Sequence, residues 1–193
     1  MRARAERREE PLRVLFVCTA NISRSPYAER RAAHVLAGEP EPSMRFASAG
    51  VPGSAGQGMD PAMAAQLARR GGEAHGHVSR PVTSAVLEDA DVVITVEFGQ
   101  RLRIAQAWPE HAPKVFGLAQ LADALERIPT SAGGLAALDA ALAAARPDSL
   151  AWDIPDPYKR GKAAARACAD TIDEALAVIV PALIGAPVRT GSR

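Results

Sequence analysis

The sequence predicts an α/β protein of three layers, in which helices cover both faces of a central four-stranded parallel sheet. Three features predict it. Residues 12–17 form a short, nearly unbroken apolar run rich in β-branched and aromatic side chains, as expected of a strand buried on both faces. Strand-like and helix-like segments then alternate, a pattern that right-handed crossovers convert into a parallel sheet. With 193 residues, 48% hydrophobic and 23% charged, the chain has the make-up of one ordinary globular domain, not of a disordered or collagen-like chain.

After the strand at 12–17, a helix is expected over residues 25–37, with Ser25 placed to cap it, Pro26 in its first turn and Glu29 suited to its positive end. A strand follows near 45–49. A helix over 60–70 is closed by Gly71-Gly72, and a strong strand spans 91–96. A helix at 98–107 and a strand at 114–118 complete the sheet. An alanine-rich insertion over about 119–147 is expected to hold two helices broken at Gly133-Gly134, and a long helix over 162–183 ends the domain. The domain is expected over 11–185, between a charged flexible tail at 1–10 and a second tail at 186–193.

A net charge of +1 gives no ground for nucleic acid or an anionic membrane as the main partner. No stretch reaches the roughly 18 uninterrupted apolar residues of a membrane helix. The first ten residues alternate Arg and Glu without the apolar core of a secretory signal, so a cytoplasmic home is expected. His34, His75 and His111 have no ligand-like spacing, and neither a metal nor another cofactor is expected.

Two cysteines occur, in different settings. Cys168 keeps the apolar register of the last helix, with Ala165, Ile172, Ala175, Ile179 and Leu183, and is expected in the core. Cys18 follows the first strand, where ligands bind in open parallel sheets. The helix start beyond it favours the thiolate and also binds an anion, so one geometry serves nucleophile and substrate. Arg24 closes the loop Cys18-Thr19-Ala20-Asn21-Ile22-Ser23-Arg24, and its planar fork suits two phosphate oxygens. Asn21 is suited to a left-handed turn, and Ser25 to donating a hydrogen bond to the sulfur. The Cys-to-Arg spacing alone is a weak signal, since 20 of the 193 residues are Arg; the strand before it and the Ser-Pro helix start after it carry the weight.

Residues 17–29, VCTANISRSPYAE, resemble the signature of the low-molecular-weight protein-tyrosine phosphatases. The resemblance continues in the family's order through Ser48-Ala49-Gly50, Asp60-Pro61, His77-Val78-Ser79-Arg80, the strand at Asp91 and Asp156-Pro157-Tyr158, covering about residues 12–183. Arg- and Ala-rich, Lys-poor usage points to a GC-rich genome and an actinobacterial-type member. The resemblance implies a flavodoxin-like or Rossmann-like arrangement and a reaction in which Cys18 takes the phosphoryl group while Asp156 acts first as acid, then as base. It also implies that Ser48 and His77 join Asn21 and Ser25 in shaping the loop, and that Tyr158 walls the substrate ring. Asp153, three residues before Asp156, competes for the acid role. By analogy, the partner is a phosphotyrosine protein such as a bacterial tyrosine kinase of exopolysaccharide export.

Three positions depart from the family's usual pattern. Ala20 replaces Gly and would strain the loop by about 1 kcal/mol if that position needs a positive φ. Ser23 replaces a frequent second cysteine, so peroxide is expected to drive Cys18 to over-oxidised acids unless Cys168 reaches it. Glu97 replaces the usual Asp at a strand end. Competing expectations are a protein-arginine phosphatase, which tends to carry Thr at the position of Ile22; an arsenate reductase, which needs a longer cysteine relay; and a phosphate-binding module without turnover.

Overall fold

The computed structural model describes residues 10–38, 43–128 and 133–186. Most of the two expected tails therefore lies outside the described residues. Four strands, β1 (Leu12–Cys18), β2 (Met44–Gly50), β3 (Val92–Thr95) and β4 (Val115–Gly117), form one sheet in the order β2-β1-β3-β4. All pairings are parallel, with Cys18 opposite Gly50 and Val17 opposite Thr95. The helices are α1 (Arg24–Val35), α2 (Pro61–Arg69), α3 (Ser84–Glu88), α4 (Phe98–Ala107), α5 (Leu118–Arg127), α6 (Gly134–Ala144) and α7 (Gly161–Leu183).

Alternation along β1 explains the three layers. Leu12, Val14, Phe16 and Cys18 face one way into a core shared with α1, α2 and the α5–α7 group, including Tyr27, Leu67, Leu121 and Ile172. Leu15 and Val17 face the other way, against Leu87 of α3 and Ile104 of α4. A strand apolar at every position but Arg13 is expected to have two covered faces, and this one has.

The alanine-rich segment is no surface appendage. Leu121, Ala124 and Leu125 of α5, with Ala137, Leu138 and Ala141 of α6, belong to the main core, and both helices pack on α7. Helix α5 ends at Arg127, and Gly133 is the N-cap of α6, with φ 59° and a missing Cβ that would sit 2.8 Å from the amide nitrogen of Gly185. Helix α7 is further tied to α1 by the Tyr27 hydroxyl, which donates to Asp173 Oδ1 at 2.9 Å. Burial, reinforced by Asp173, raises the Tyr27 phenol well above its ordinary value, so it remains a donor.

Two expectations about α1 need correction. Ser23, not Ser25, is its N-cap, and its side chain makes no capping bond. Ser25 is drawn away because its hydroxyl serves the Cys18 sulfur instead. Glu29 lies beyond the first turn and so does not serve the helix's positive end; it accepts from Ser48 Oγ at 2.5 Å. Helix α3 was not anticipated. Five residues are too few to show a helical period, although Thr83 caps it by accepting from Val86 N.

Candidate active site

Cys18 ends β1 with 2% of its surface exposed, and the loop to Arg24 curls back over its sulfur. Asn21 N donates to Cys18 Sγ at 3.3 Å and Ser25 Oγ does so at 3.0 Å. Asn21 makes the turn in the left-handed region, with φ 60°, as its side-chain chemistry suggested. Ala20 is not among the positive-φ residues, so the strain considered for it does not arise.

Asn21 is also the hub of the loop's fastening. Its amide nitrogen donates to Ser25 Oγ at 3.0 Å and Ser48 Oγ at 2.8 Å, while Oδ1 accepts from Arg80 N at 3.0 Å. Its own carbonyl meets His77 Nε2 at 2.7 Å. Ser48, His77, Asn21 and Ser25 thus come together, and Glu29 extends the chain through Ser48. Backbone bonds hold the rest: Val51 N to Cys18 O, Gly53 N to Thr19 O, and Asp60 N to Ile22 O. Gly50 allows this approach, since a Cβ there would lie 2.7 Å from Thr19 O.

Arg24 is 2% exposed, and its charge interacts with Cys18. Its Nη1 donates to Glu97 Oε1 at 2.5 Å and to the Ile154 carbonyl at 2.7 Å, and Nη2 lies 3.3 Å from Asp156 Oδ2. Burial opposes the charge, but the Glu97 bond and ion pair, with Asp156 and Cys18 behind them, outweigh it and raise the guanidinium above its ordinary value. Nε has no partner among the described residues. Nη1 is thus committed to Glu97 and the Ile154 carbonyl, while Nε lacks a partner and Nη2 faces Asp156, the edge on which a planar fork can present two donors to an anion.

The two aspartates separate by their partners. Asp153 Oδ1 accepts from Phe98 N at 2.6 Å, at the start of α4, which commits it to the helix end. Asp156 keeps 43% of its side chain exposed and reaches Arg24, with Oδ1 accepting from Tyr158 N at 3.2 Å. Tyr158 is 40% exposed, and Lys159 Nζ lies 5.1 Å from its ring centroid. Ile22 is buried to 8%, and Ser23 Oγ is buried without a partner among the described residues.

Sequence reasoning missed Glu29 as a partner of Ser48, Glu97 and the Ile154 carbonyl as partners of Arg24, and Gln100, whose Nε2 donates to Thr19 Oγ1 at 3.2 Å. Only Gln100 left a local trace, the Glu-x-x-Gln spacing of a helix start. Cys168 lies in the core as expected, and burial pushes its thiol up to about 12. Both cysteines are free thiols. Among the described residues no cluster of three or more His, Cys, Asp or Glu is placed to hold a metal ion, and no helix is long and apolar enough to cross a membrane. A groove of about 830 Å³ lined by Arg13, Arg45, Arg80 and Asp89 sits toward the amino ends of the strands, away from Cys18.

The chain is similar to several known proteins. It is 30% identical over 105 residues to the low molecular weight protein-tyrosine-phosphatase Ptp of Acinetobacter johnsonii, a match covering 54% of this chain and 70% of that one. It is 31% identical over 103 residues to Wzb of Salmonella typhi, covering 53% and 66%. In fold it resembles the arginine phosphatase YwlE of Geobacillus stearothermophilus, with TM-score 0.72, 23% identity and coverage of 95% and 99%. The tyrosine phosphatase amsI of Erwinia amylovora gives TM-score 0.68 at 23% identity, over 90% and 94%. Residues 13–133 match the model of the low molecular weight phosphotyrosine protein phosphatases, and the chain belongs to that family of phosphoric-monoester hydrolases.

Proposed function

We propose that the protein hydrolyses phosphotyrosine in proteins through a phosphocysteine intermediate on Cys18. The carrying observation is the sulfur's setting: Asn21 N and Ser25 Oγ both point at it, as donors suited to a thiolate. In the first step the sulfur attacks phosphorus, the bond to the phenol oxygen breaks, and Asp156 gives that oxygen its proton. In the second, water attacks phosphorus and yields a proton to Asp156. The sulfur–phosphorus bond breaks and inorganic phosphate leaves. Arg24 Nε and Nη2 hold two non-bridging oxygens throughout, and Ser25 stabilises the departing thiolate.

Ile22 and Tyr158 favour an aryl leaving group, an apolar β-branched side chain on the loop and an aromatic ring two residues beyond the acid. Both curated relatives named above are called tyrosine phosphatases, whereas one structural neighbour is called an arginine phosphatase, so phosphoarginine is the second substrate to measure. An arsenate reductase relay is disfavoured, because Cys168 is held as a buried neutral thiol. The proposed partner is a phosphotyrosine protein, such as a tyrosine kinase governing exopolysaccharide export, and the proposed location is the cytoplasm.

The test is phosphate release from phosphotyrosine and phosphoarginine peptides by the parent protein and Cys18→Ser. Turnover of phosphotyrosine that falls by about 10⁴-fold or more in the variant is expected. Faster turnover of phosphoarginine would replace tyrosine as the substrate. Binding without turnover would leave a phosphate-binding module.

A further inference from the structure

We propose that Gln100 is a positioning residue for the phosphate site, fixing the Glu97 carboxylate and Thr19 so that the Nε–Nη2 edge of Arg24 faces the reacting phosphate; this rests on the phosphatase reading above. Gln100 lies in the first turn of α4 and is 2% exposed. Its Oε1 accepts from Val96 N and Glu97 N, each at 3.1 Å. Its Nε2 donates to Glu97 Oε2 at 2.6 Å and to Thr19 Oγ1 at 3.2 Å. Both lone pairs and both protons of the amide are used. The amide has only one workable orientation, because the reverse would set its oxygen against a carboxylate and its NH₂ against two N–H donors.

Helix capping explains half of this. Glu97 N needs an acceptor three residues into the helix, and Val96 N shares it while also donating to Val17 O; Glu would serve as well as Gln. The donor end answers a different need. Glu97 Oε1 grips Arg24, so Glu97 Oε2 needs its own partner if the carboxylate is not to rotate about its terminal bond. Gln100 supplies that partner and in the same gesture holds the hydroxyl of Thr19, the residue beside Cys18. The amide thus ties Cys18's end of the loop to Arg24's end through Glu97. A Glu at position 100 would keep the cap and set two carboxylates against each other.

The experiment compares the parent chain with Gln100→Glu, reading three quantities: inorganic phosphate affinity by calorimetry, the phosphate-induced shift of the Arg24 Nε–H resonance, and kcat/KM on a phosphotyrosine peptide. Phosphate affinity and kcat/KM of the folded variant are each expected to fall about tenfold, with the Arg24 shift lost. In a Glu97→Gln background the same change is expected to cost less than about threefold, since the repulsion is gone. Unchanged affinity and an unchanged Arg24 signal in Gln100→Glu would overturn the proposal, as would an undiminished loss in the Glu97→Gln background. Should Gln100→Glu fail to fold, Gln100→Met, uncharged and of similar length, is read by the same criteria. A parent that binds phosphate without turnover sinks the phosphatase reading and leaves the Gln100 test intact; a parent that binds none overturns both.

Discussion

Between positions 21 and 25 the loop side chains of Asn21, Ser23, Arg24 and Ser25 are 0–3% exposed, whereas Asp156 exposes 43% of its side chain and Tyr158 stands 40% exposed. The nucleophile's loop is sewn to β2, α1 and the segment at 77–80 by side-chain hydrogen bonds. The acid's loop touches it chiefly through Arg24, by the Ile154 carbonyl and by Asp156 itself. The difference suits the chemistry proposed for each half. Donors aimed at developing charge act best when fixed and dry before substrate arrives. A group that gives a proton to the phenol and then takes one from water needs contact with solvent. Arg24 belongs to both halves, and the largest effect is expected where the two are joined.

Arg24→Lys removes the join. An ammonium is a single point charge and cannot serve Glu97, Ile154 and a bidentate phosphate at once. Turnover is expected to fall about 10²–10³-fold, with phosphate inhibition weakened in parallel. A lysine variant that retained both would show that the fork is dispensable and that the two loops work independently.

Asp156→Asn tests the exposed half alone. The loss should depend on the leaving group, about 10²-fold or more on a phosphotyrosine peptide and within about threefold on dinitrophenyl phosphate, whose phenolate leaves without a proton. Asp153→Asn is the control. It should cost about 1 kcal/mol of stability at the start of α4, read by denaturant unfolding, and leave the rate within about threefold. A reversed pattern, with the leaving-group dependence in Asp153→Asn, would exchange the two roles.

The same contrast governs what the sequence disclosed. Strands β1 to β4 and helices α1, α2, α4 and α7 were legible because apolar period and Gly or Pro punctuation are local signals. Cys18, Arg24 and Asn21 were legible because one contiguous loop holds them. Glu29 meeting Ser48, and Glu97 with the Ile154 carbonyl meeting Arg24, join segments 19, 73 and 130 residues apart, and no spacing rule links them. Ser25 misled for a related reason. Its sequence context suits a cap, but a hydroxyl near a buried sulfur has a competing acceptor.

Asn21→Ala tests the sewn half. It deletes the side-chain bonds to Ser25, Ser48 and Arg80 N and leaves a Cβ residue with a φ of 60°. A loss of about 2 kcal/mol in stability and about tenfold in kcat/KM is expected. Asn21→Gly, which restores the backbone freedom and not the bonds, should recover stability more than rate. Equal recovery of both would mean that the turn, not the network, is what the loop needs.

Ala20→Gly is the smallest and the sharpest of these changes. If the loop's fixity came from local backbone strain at position 20, a glycine would relieve it and raise both rate and stability. The left-handed residue is Asn21 instead, so Ala20 stores no such strain. Glycine should then only enlarge the freedom of the unfolded chain, lowering stability by about 0.4–1 kcal/mol and leaving kcat/KM within about twofold. A gain in both quantities would place the loop's tension at position 20, and would make the side-chain fastening of Asn21 a consequence of the turn and not its cause.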